Sequence, residues 1–210
     1  MGILGFNLNF YDQLSFYGAY HHNKWNQLVH FVFVPAIFWS ASVWLSYTGQ
    51  LIPYDPARAL HSLPTSLAEC AVLNGAFLGT LVYSLFYIGL EPFAGATWAL
   101  STGIPCWLTA TAFMQHVPNA WAYAVALHAL SWYVQIHVGH VMLEHRKPAL
   151  LDSFFQSLAL ANLFVWLEFL FFCGYRKDLQ AKLAARIQAE RAKMLADDVQ
   201  TARLLVEQSK

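Results

Sequence analysis

The stretch WYVQIHVGHVMLEHRKP, Trp132 to Pro148, places His137, His140 and Glu144 within two turns of otherwise apolar sequence. Spacings of three and four put these side chains on one face of an α-helix. A second polar cluster, YHHNKWNQLVH from Tyr20 to His30, stands just ahead of the first long apolar run. The two clusters are expected to meet around a metal, and what lies between them reads as membrane.

The composition supports that reading. Of 210 residues, 58% are hydrophobic, 16% aromatic and only 11% charged, against about 25% charged in an ordinary soluble protein. The formal net charge of zero conceals an uneven spread: the last 35 residues, from Arg176, hold 8 of the 12 Lys and Arg and 5 of the 12 Asp and Glu. No Gly-rich phosphate loop is present, and no nucleic-acid partner is expected.

Outward from the opening cluster, Trp25 to Tyr54 contains no Asp, Glu, Lys or Arg. Leu28 to Tyr47 supplies the roughly 20 apolar residues that span an apolar layer of about 30 Å, with Pro35 expected to kink the helix. Met1 to Tyr20 alternates aromatic and polar residues, as an interfacial segment does. Gly49 to Pro64 carries three prolines and reads as a loop. A second span runs from about Cys70 to Leu90, closed by Glu91-Pro92. The next 52 residues, Pro92 to Leu143, hold no formal charge, too long for one crossing, and break at QHVPN, Gln115 to Asn119.

Ser153 to Cys173 is a fifth apolar run, interrupted by Glu168, which should face the bundle or an interface. From Arg176 the chain is charged and Ala-rich, with Leu179, Leu183 and Ile187 four apart, as in an amphipathic surface helix. The expected fold is therefore all-α: a polytopic membrane helix bundle of four to five hydrophobic helices over residues 1–175, with a charged amphipathic helix over 176–210. Five full crossings would put the Arg146/Lys147 turn and the basic tail on opposite sides, against the usual bias of positive charge toward the cytosol, so one run is expected not to cross. Cys70, Cys106 and Cys173 sit in apolar runs and read as buried small hydrophobes. No signal peptide is expected ahead of the first span, since the first basic residue is Lys24 and no small-residue cleavage site follows an early apolar core.

Among nine histidines, His61 reads as a loop residue, His128 as a hydrogen-bonded core residue, and His22 and His145 as interfacial. His21, His30, His137 and His140 have polar neighbours able to orient a ligating imidazole: Asn26 four before His30, Glu144 four after His140. On an unbroken helix His21 and His30 would be about 13.5 Å apart. If Asn23 or Asn26 caps the helix, His21 can fold back beside His30. His116 lies about 36 Å from His140 along a continuous fourth span, too far to share an ion. Spacing alone leaves a metal site and a structural polar network both open.

YHHNKWNQLVHFVFVP, Tyr20 to Pro35, followed by VGHVMLEHRKPALLDSFFQSLAL, Val138 to Leu160, and then WLEFLFF, resembles the fungal and plant 2-hydroxy fatty acid dioxygenases. This endoplasmic-reticulum membrane family takes part in converting phytosphingosine to odd-numbered fatty acids. The likeness runs from about Asp12 to Asp178. It implies an iron(II)-dependent oxidoreductase that uses O2 for α-oxidation, converting a long-chain 2-hydroxy fatty acid to the acid one carbon shorter. The family pattern falls on His21, Asn26 and His30, and on Gly139, His140, Glu144, Pro148 and Ala149. His137 and Lys24-Trp25 depart from it.

On that resemblance His21, His30 and His140 are the expected Fe2+ ligands, with Asn26 and Glu144 orienting them; a variant makes Glu144 itself a ligand. Three protein ligands leave positions for O2 and for a substrate chelating through hydroxyl and carboxylate. Arg146 and Lys147 would attract the carboxylate or simply anchor the topology on the cytosolic side. Two readings of other classes stand beside this: a non-enzymatic membrane lipid-binding or scaffold protein needing no metal, and a histidine-lined transporter, for which His128 would matter.

Overall fold

The structure, a computed structural model, describes residues 9–55, 62, 64–145 and 154–208; His61, Arg146, Lys147, Pro148 and Ala149 lie outside them. Among the described residues there is helix and turn but no strand. The elements are α1 (Phe10–Tyr20), α2 (Lys24–Ser46), α3 (Thr65–Cys70), α4 (Gly75–Leu90), α5 (Pro92–Trp98), the π-helix π1 (Ala99–Gly103), α6 (Ile104–His116), α7 (Ala120–Tyr133), the π-helix π2 (Val134–Glu144), α8 (Phe154–Phe172) and α9 (Lys177–Gln208).

Side chains that satisfy free backbone donors set where the helices start. Asn9 accepts from the Tyr11 and Asp12 amides, Asn23 from Trp25, Asn74 from Phe77 and Glu91 from Ala94. Glu91-Pro92 closes α4 and opens α5, with Pro92 in the first turn, where its missing donor costs nothing. The break at QHVPN also stands: α6 ends at His116 and Asn119, at φ 55°, turns the chain into α7. The backbone stays helical through both junctions with the π-helices, so 92–116 and 120–144 are two continuous rods.

These two rods, α2 and α4 lie antiparallel, and side-chain contacts identify their common ends. At one end Gly75 lies so close to the Leu45 carbonyl that a Cβ would come within 2.8 Å of it, and the Trp121 amide donates to the Tyr47 hydroxyl. At the other end the Asn23 amide donates to Glu144. Helix α2 is the hub, packing on α4, α6, α7, π2 and α8. Its interface with α6 and α7 is built from small side chains: Val43, Ala110, Ala120 and Ala124 form one core, beside buried Ser40, Ser42, Ser46, Thr111 and Ser131. Small residues let helix axes approach closely, and their hydroxyls are held by backbone carbonyls.

A second, larger core joins α1, α4, α5, α8 and the start of α9, around Tyr17, Tyr87, Trp98, Phe164, Leu167 and Leu179. Both ends of α8 are tied to the α4–α5 corner. The Tyr87 hydroxyl donates to the Ala159 carbonyl at 2.8 Å, and Tyr175, just past α8, donates to Glu91 at 2.9 Å. Near its C-terminus Phe169 packs on Phe31. Helix α8 thus lies across the end of the bundle where α2 begins. Leu179 and Leu183 of α9 are buried and Ile187 is half-buried, packing against α1 at Gly18, so the leucine spacing read from the sequence marks the docked face. Cys70 is buried, Cys106 half-buried and Cys173 exposed. The reading as buried hydrophobes fails for Cys173, because it falls in the turn that ends α8.

Glu91 joins three elements: it caps α5, accepts from Tyr175 and pairs with Arg176 at 3.5 Å, while itself buried. Glu91→Ala should lower the thermal unfolding midpoint in detergent, by the equivalent of about 2–4 kcal/mol for a lost cap plus an unpartnered phenol. Glu91→Gln, which keeps an acceptor, should lose less.

Candidate metal centre

The site forms where α1 hands over to α2. Asn23 caps α2, so the helix begins after it and His21 and His22 form a non-helical corner. The fold-back that a cap at Asn23 would permit is therefore the geometry found: the His21 and His30 rings lie 4.4 Å apart, edge to face. His140 closes the group, its ring 5.0 Å from each of the others. One donor atom from each of the three buried histidines lies within 4.8 Å of the others.

The hydrogen bonds sort the ring nitrogens. His21 Nδ1 is 2.9 Å from the Tyr17 carbonyl and His30 Nδ1 is 3.0 Å from the Asn26 carbonyl. A carbonyl only accepts, so each Nδ1 carries the proton and each Nε2 presents a lone pair. His140 Nδ1 is buried with no hydrogen-bond partner, an arrangement that costs about 1–3 kcal/mol where nothing compensates it. Neutral imidazoles with free lone pairs, converging in a buried space with one nitrogen unsatisfied, fit a divalent transition metal.

The neutral state is built in. Burial pushes the His21 pKa well below its ordinary value, proximity to His30 and His140 lowers it further, and the Tyr17 carbonyl opposes the shift. Tyr17 also stacks on the His21 ring at 3.9 Å and 18°.

Glu144 lies behind this group. Its Oε1 accepts from the Asn23 amide at 2.7 Å and from Asn26 Nδ2 at 3.1 Å, while Asn23 Nδ2 donates to the Leu143 carbonyl at 3.0 Å. A carboxylate at a helix N-terminus meets both free amides and the positive end of the helix dipole. Asn26 thereby joins His30, through its carbonyl, to Glu144, through its amide. Gly139 makes the close packing feasible: a Cβ there would lie 2.4 Å from Asn26 Oδ1 and 3.3 Å from His30 Cε1.

The expected common face of His137, His140 and Glu144 is not what forms. In π2 the i→i+5 bonding widens the turn, so residues four and five apart share a side. Gln135, Gly139 and His140 are buried, whereas His137 is exposed and stacks on Tyr133 at 4.4 Å. His116 is exposed at the far end, bonded to the Ala112 carbonyl. His128 is engaged at both ring nitrogens, by Ser40 and Trp132, as a core histidine would be. Tyr17 was not anticipated as part of the site; its position four before His21 was the available signal. Gly139 was singled out only as part of a motif, and its reason, room for Asn26, is tertiary.

Fold and site together define a helical protein with a buried three-histidine centre at one end of an apolar bundle. The chain belongs to the family described as 2-hydroxy-palmitic acid dioxygenase Mpo1-like, which matches residues 8–173. It is 34% identical over 177 residues to the 2-hydroxy-palmitic acid dioxygenase MPO1 of Saccharomyces cerevisiae, covering 84% of this chain and 88% of the yeast protein. No solved structure matches it.

Two outcomes follow from this geometry. Gly139→Ala must displace Asn26 from Glu144, and should weaken cobalt(II) binding about tenfold or more with helical content unchanged by circular dichroism. Because the folded His21 pKa lies below the unfolded value near 6.5, its contribution to stability is complete above that pH. It is lost as pH falls below it, by up to about 1.4 kcal/mol per pH unit. The unfolding midpoint of the metal-free protein should therefore drop from pH 6.5 to 5, and His21→Phe should flatten that slope.

Proposed function

We propose that this chain is an iron(II)-dependent membrane dioxygenase that shortens long-chain 2-hydroxy fatty acids by one carbon. The observation that carries the reading is the trio of buried neutral histidines, His21, His30 and His140, at the end of an apolar bundle. Family membership and the yeast relative's substrate, 2-hydroxy-palmitic acid, support the chemical class.

Among the described residues one helix, Lys24–Ser46, is by itself long and apolar enough to cross a membrane. Several features favour more crossings. The rods 92–116 and 120–144 each run for 25 residues, about 37 Å at 1.5 Å per residue, and carry no formal charge before Glu144. The bundle also turns large apolar side chains outward, among them Val32, Val82, Leu85, Leu100, Trp121 and Leu130. A soluble monomer rarely exposes so much apolar surface. In the proposed topology α2, α4, α5–α6 and α7–π2 cross, and α8 stays at the end where α2 begins. Lys24, Arg146, Lys147 and the basic tail then share one side, the cytosolic side of the endoplasmic-reticulum membrane, in keeping with the positive-inside bias. The fifth apolar run is the one that does not cross.

Each side chain has a task in this reading. Tyr17 and Asn26 hold the His21 and His30 rings through their carbonyls, fixing the tautomer that leaves Nε2 for the ion. Asn26 and Glu144 support the ligands from behind, since both Asn23 and Asn26 already occupy the Glu144 oxygen that faces α2. Iron(II) bound there supplies the redox chemistry that couples O2 to carbon–carbon cleavage. The acyl chain, worth about 0.8 kcal/mol per CH2 leaving water, keeps the substrate in the bilayer with its head at the depth of the histidines. Arg146 and Lys147, two and three residues past Glu144 in sequence, would attract the carboxylate.

The test is anaerobic loading of the purified protein with iron(II), followed by O2 and 2-hydroxypalmitate, with the shortened acid read by mass spectrometry. Parent protein should form it, and His140→Ala should reduce it by at least a hundredfold. Equal product from both would remove His140 from catalysis. A lipid-binding scaffold would bind the acyl chain equally well with or without iron and form no product.

A further inference from the structure

The three candidate ligands do not come from equally anchored elements. His30 lies on α2 and His140 on π2, and those two helices pack directly on each other. His21 lies at the end of α1, where contacts from the last turn of that helix place it. His21 Nδ1 donates to the Tyr17 carbonyl at 2.9 Å, the Tyr17 ring stacks on the imidazole at 3.9 Å, and the His21 amide donates to the Gly18 carbonyl at 3.4 Å. From α2, Gln27 Nε2 donates to the His21 carbonyl at 2.9 Å. The imidazole is therefore placed no better than the last turn of α1.

That turn is held by the tail helix. Helix α1 packs mainly on α9 and less extensively on α8, where Phe164 meets the Tyr17 ring. Leu179 and Leu183 of α9 are buried in the core that also contains Leu14 and Tyr17. Ile187, one turn further on, occupies the space beside Gly18: a Cβ there would lie 2.4 Å from Ile187 Cδ1 and 2.9 Å from its Cγ1. A glycine lets α9 come this close to the turn that carries Tyr17 and leads into His21. Nearer the start of α1, Arg186 pairs with Asp12 at 3.2 Å and lies over the Tyr11 ring at 5.5 Å. An exposed pair of this kind stabilises little, so the apolar face does the holding. Helix α9 begins at Lys177, past residues 8–173 that match the family. Its docking on α1 is not carried by that match.

We propose that Leu183 and Ile187 are positioning residues for His21: by docking α9 against α1 they hold the turn whose Tyr17 and Gly18 set the imidazole at the ion. The inference rests on the metal reading of the three histidines and deepens it, giving the charged tail a part in the site although it supplies no ligand. Release of α9 leaves His30 and His140 together and lets α1 carry His21 away from them.

The experiment is a cobalt(II) titration of the full-length protein in detergent, read by the ligand-field bands of the bound ion, with unfolding midpoints recorded alongside. Leu183→Asn/Ile187→Asn puts amides on the docked face and should weaken cobalt binding about 10- to 100-fold, the range for groups that orient metal ligands. Leu195→Asn, at an exposed position of the same helix, should bind like the parent. His21→Ala weakens binding by itself, and adding the two tail substitutions to it should cost nothing further, because the tail acts through that histidine. A tail variant with a lowered unfolding midpoint and unchanged affinity, which is what a merely structural contact gives, would overturn the proposal. So would additive losses in the His21→Ala background, or an equal loss in Leu195→Asn. If the double substitution does not fold, Ile187→Ala, which removes the contact on Gly18, still decides: a severalfold weaker affinity supports the proposal and an unchanged one overturns it. A parent that binds no cobalt removes the metal reading and this inference together, whereas a parent that binds and tail variants that match it remove this inference alone.

Discussion

The contact on which the site depends is a carboxylate at the start of a helix. Glu144 closes π2 and meets the first turn of α2 through the Asn23 amide and the Asn26 side chain, residues 121 and 118 positions away. Hydrogen bonds to a charged group contribute about 1.5–3 kcal/mol each, and here they also set the geometry. With Glu144 in place the Asn26 side chain is oriented, while the Asn26 backbone carbonyl, fixed by α2, orients His30. The same contact holds the end of π2 against α2, which is what brings His140 to the other two histidines.

Much of this was legible from local chemistry. Caps are written in a few adjacent residues, so Asn23 or Asn26 offered itself as the cap of α2, and the stop at Glu91-Pro92 and the break before Ala120 could be read directly. The consequence of the Asn23 cap, a histidine folded back toward His30, followed from helix geometry alone. The leucine spacing of the tail marked the face that docks. The three histidines that converge are also those the family resemblance pointed to.

What stayed hidden depends on tertiary packing. Nothing in VQIHVGHVMLE signals i→i+5 bonding, since apolar residues surround the histidines on every side and leave no periodicity to favour one turn over another. The α-helical reading therefore put His137 and His140 on one face, and the wider turn separates them. Room for Asn26 at Gly139 is a contact between residues 113 positions apart, invisible to any local pattern. The fate of the fifth apolar run was equally out of reach, because its composition suits a crossing and only its ties to Tyr87 and Glu91 lay it across the end of the bundle.

The distance in sequence between Asn23 and Glu144 has a consequence for biogenesis. Chains emerge from the ribosome at about 5–20 residues per second, so the start of α2 waits on the order of 10 s for its carboxylate to be made. Throughout that interval the Asn26 side chain is present without the carboxylate that orients it, and His21 and His30 without His140. An ion held by the three histidines would therefore find no finished cradle until translation has passed residue 144, and its loading would come too late to guide the early steps of folding.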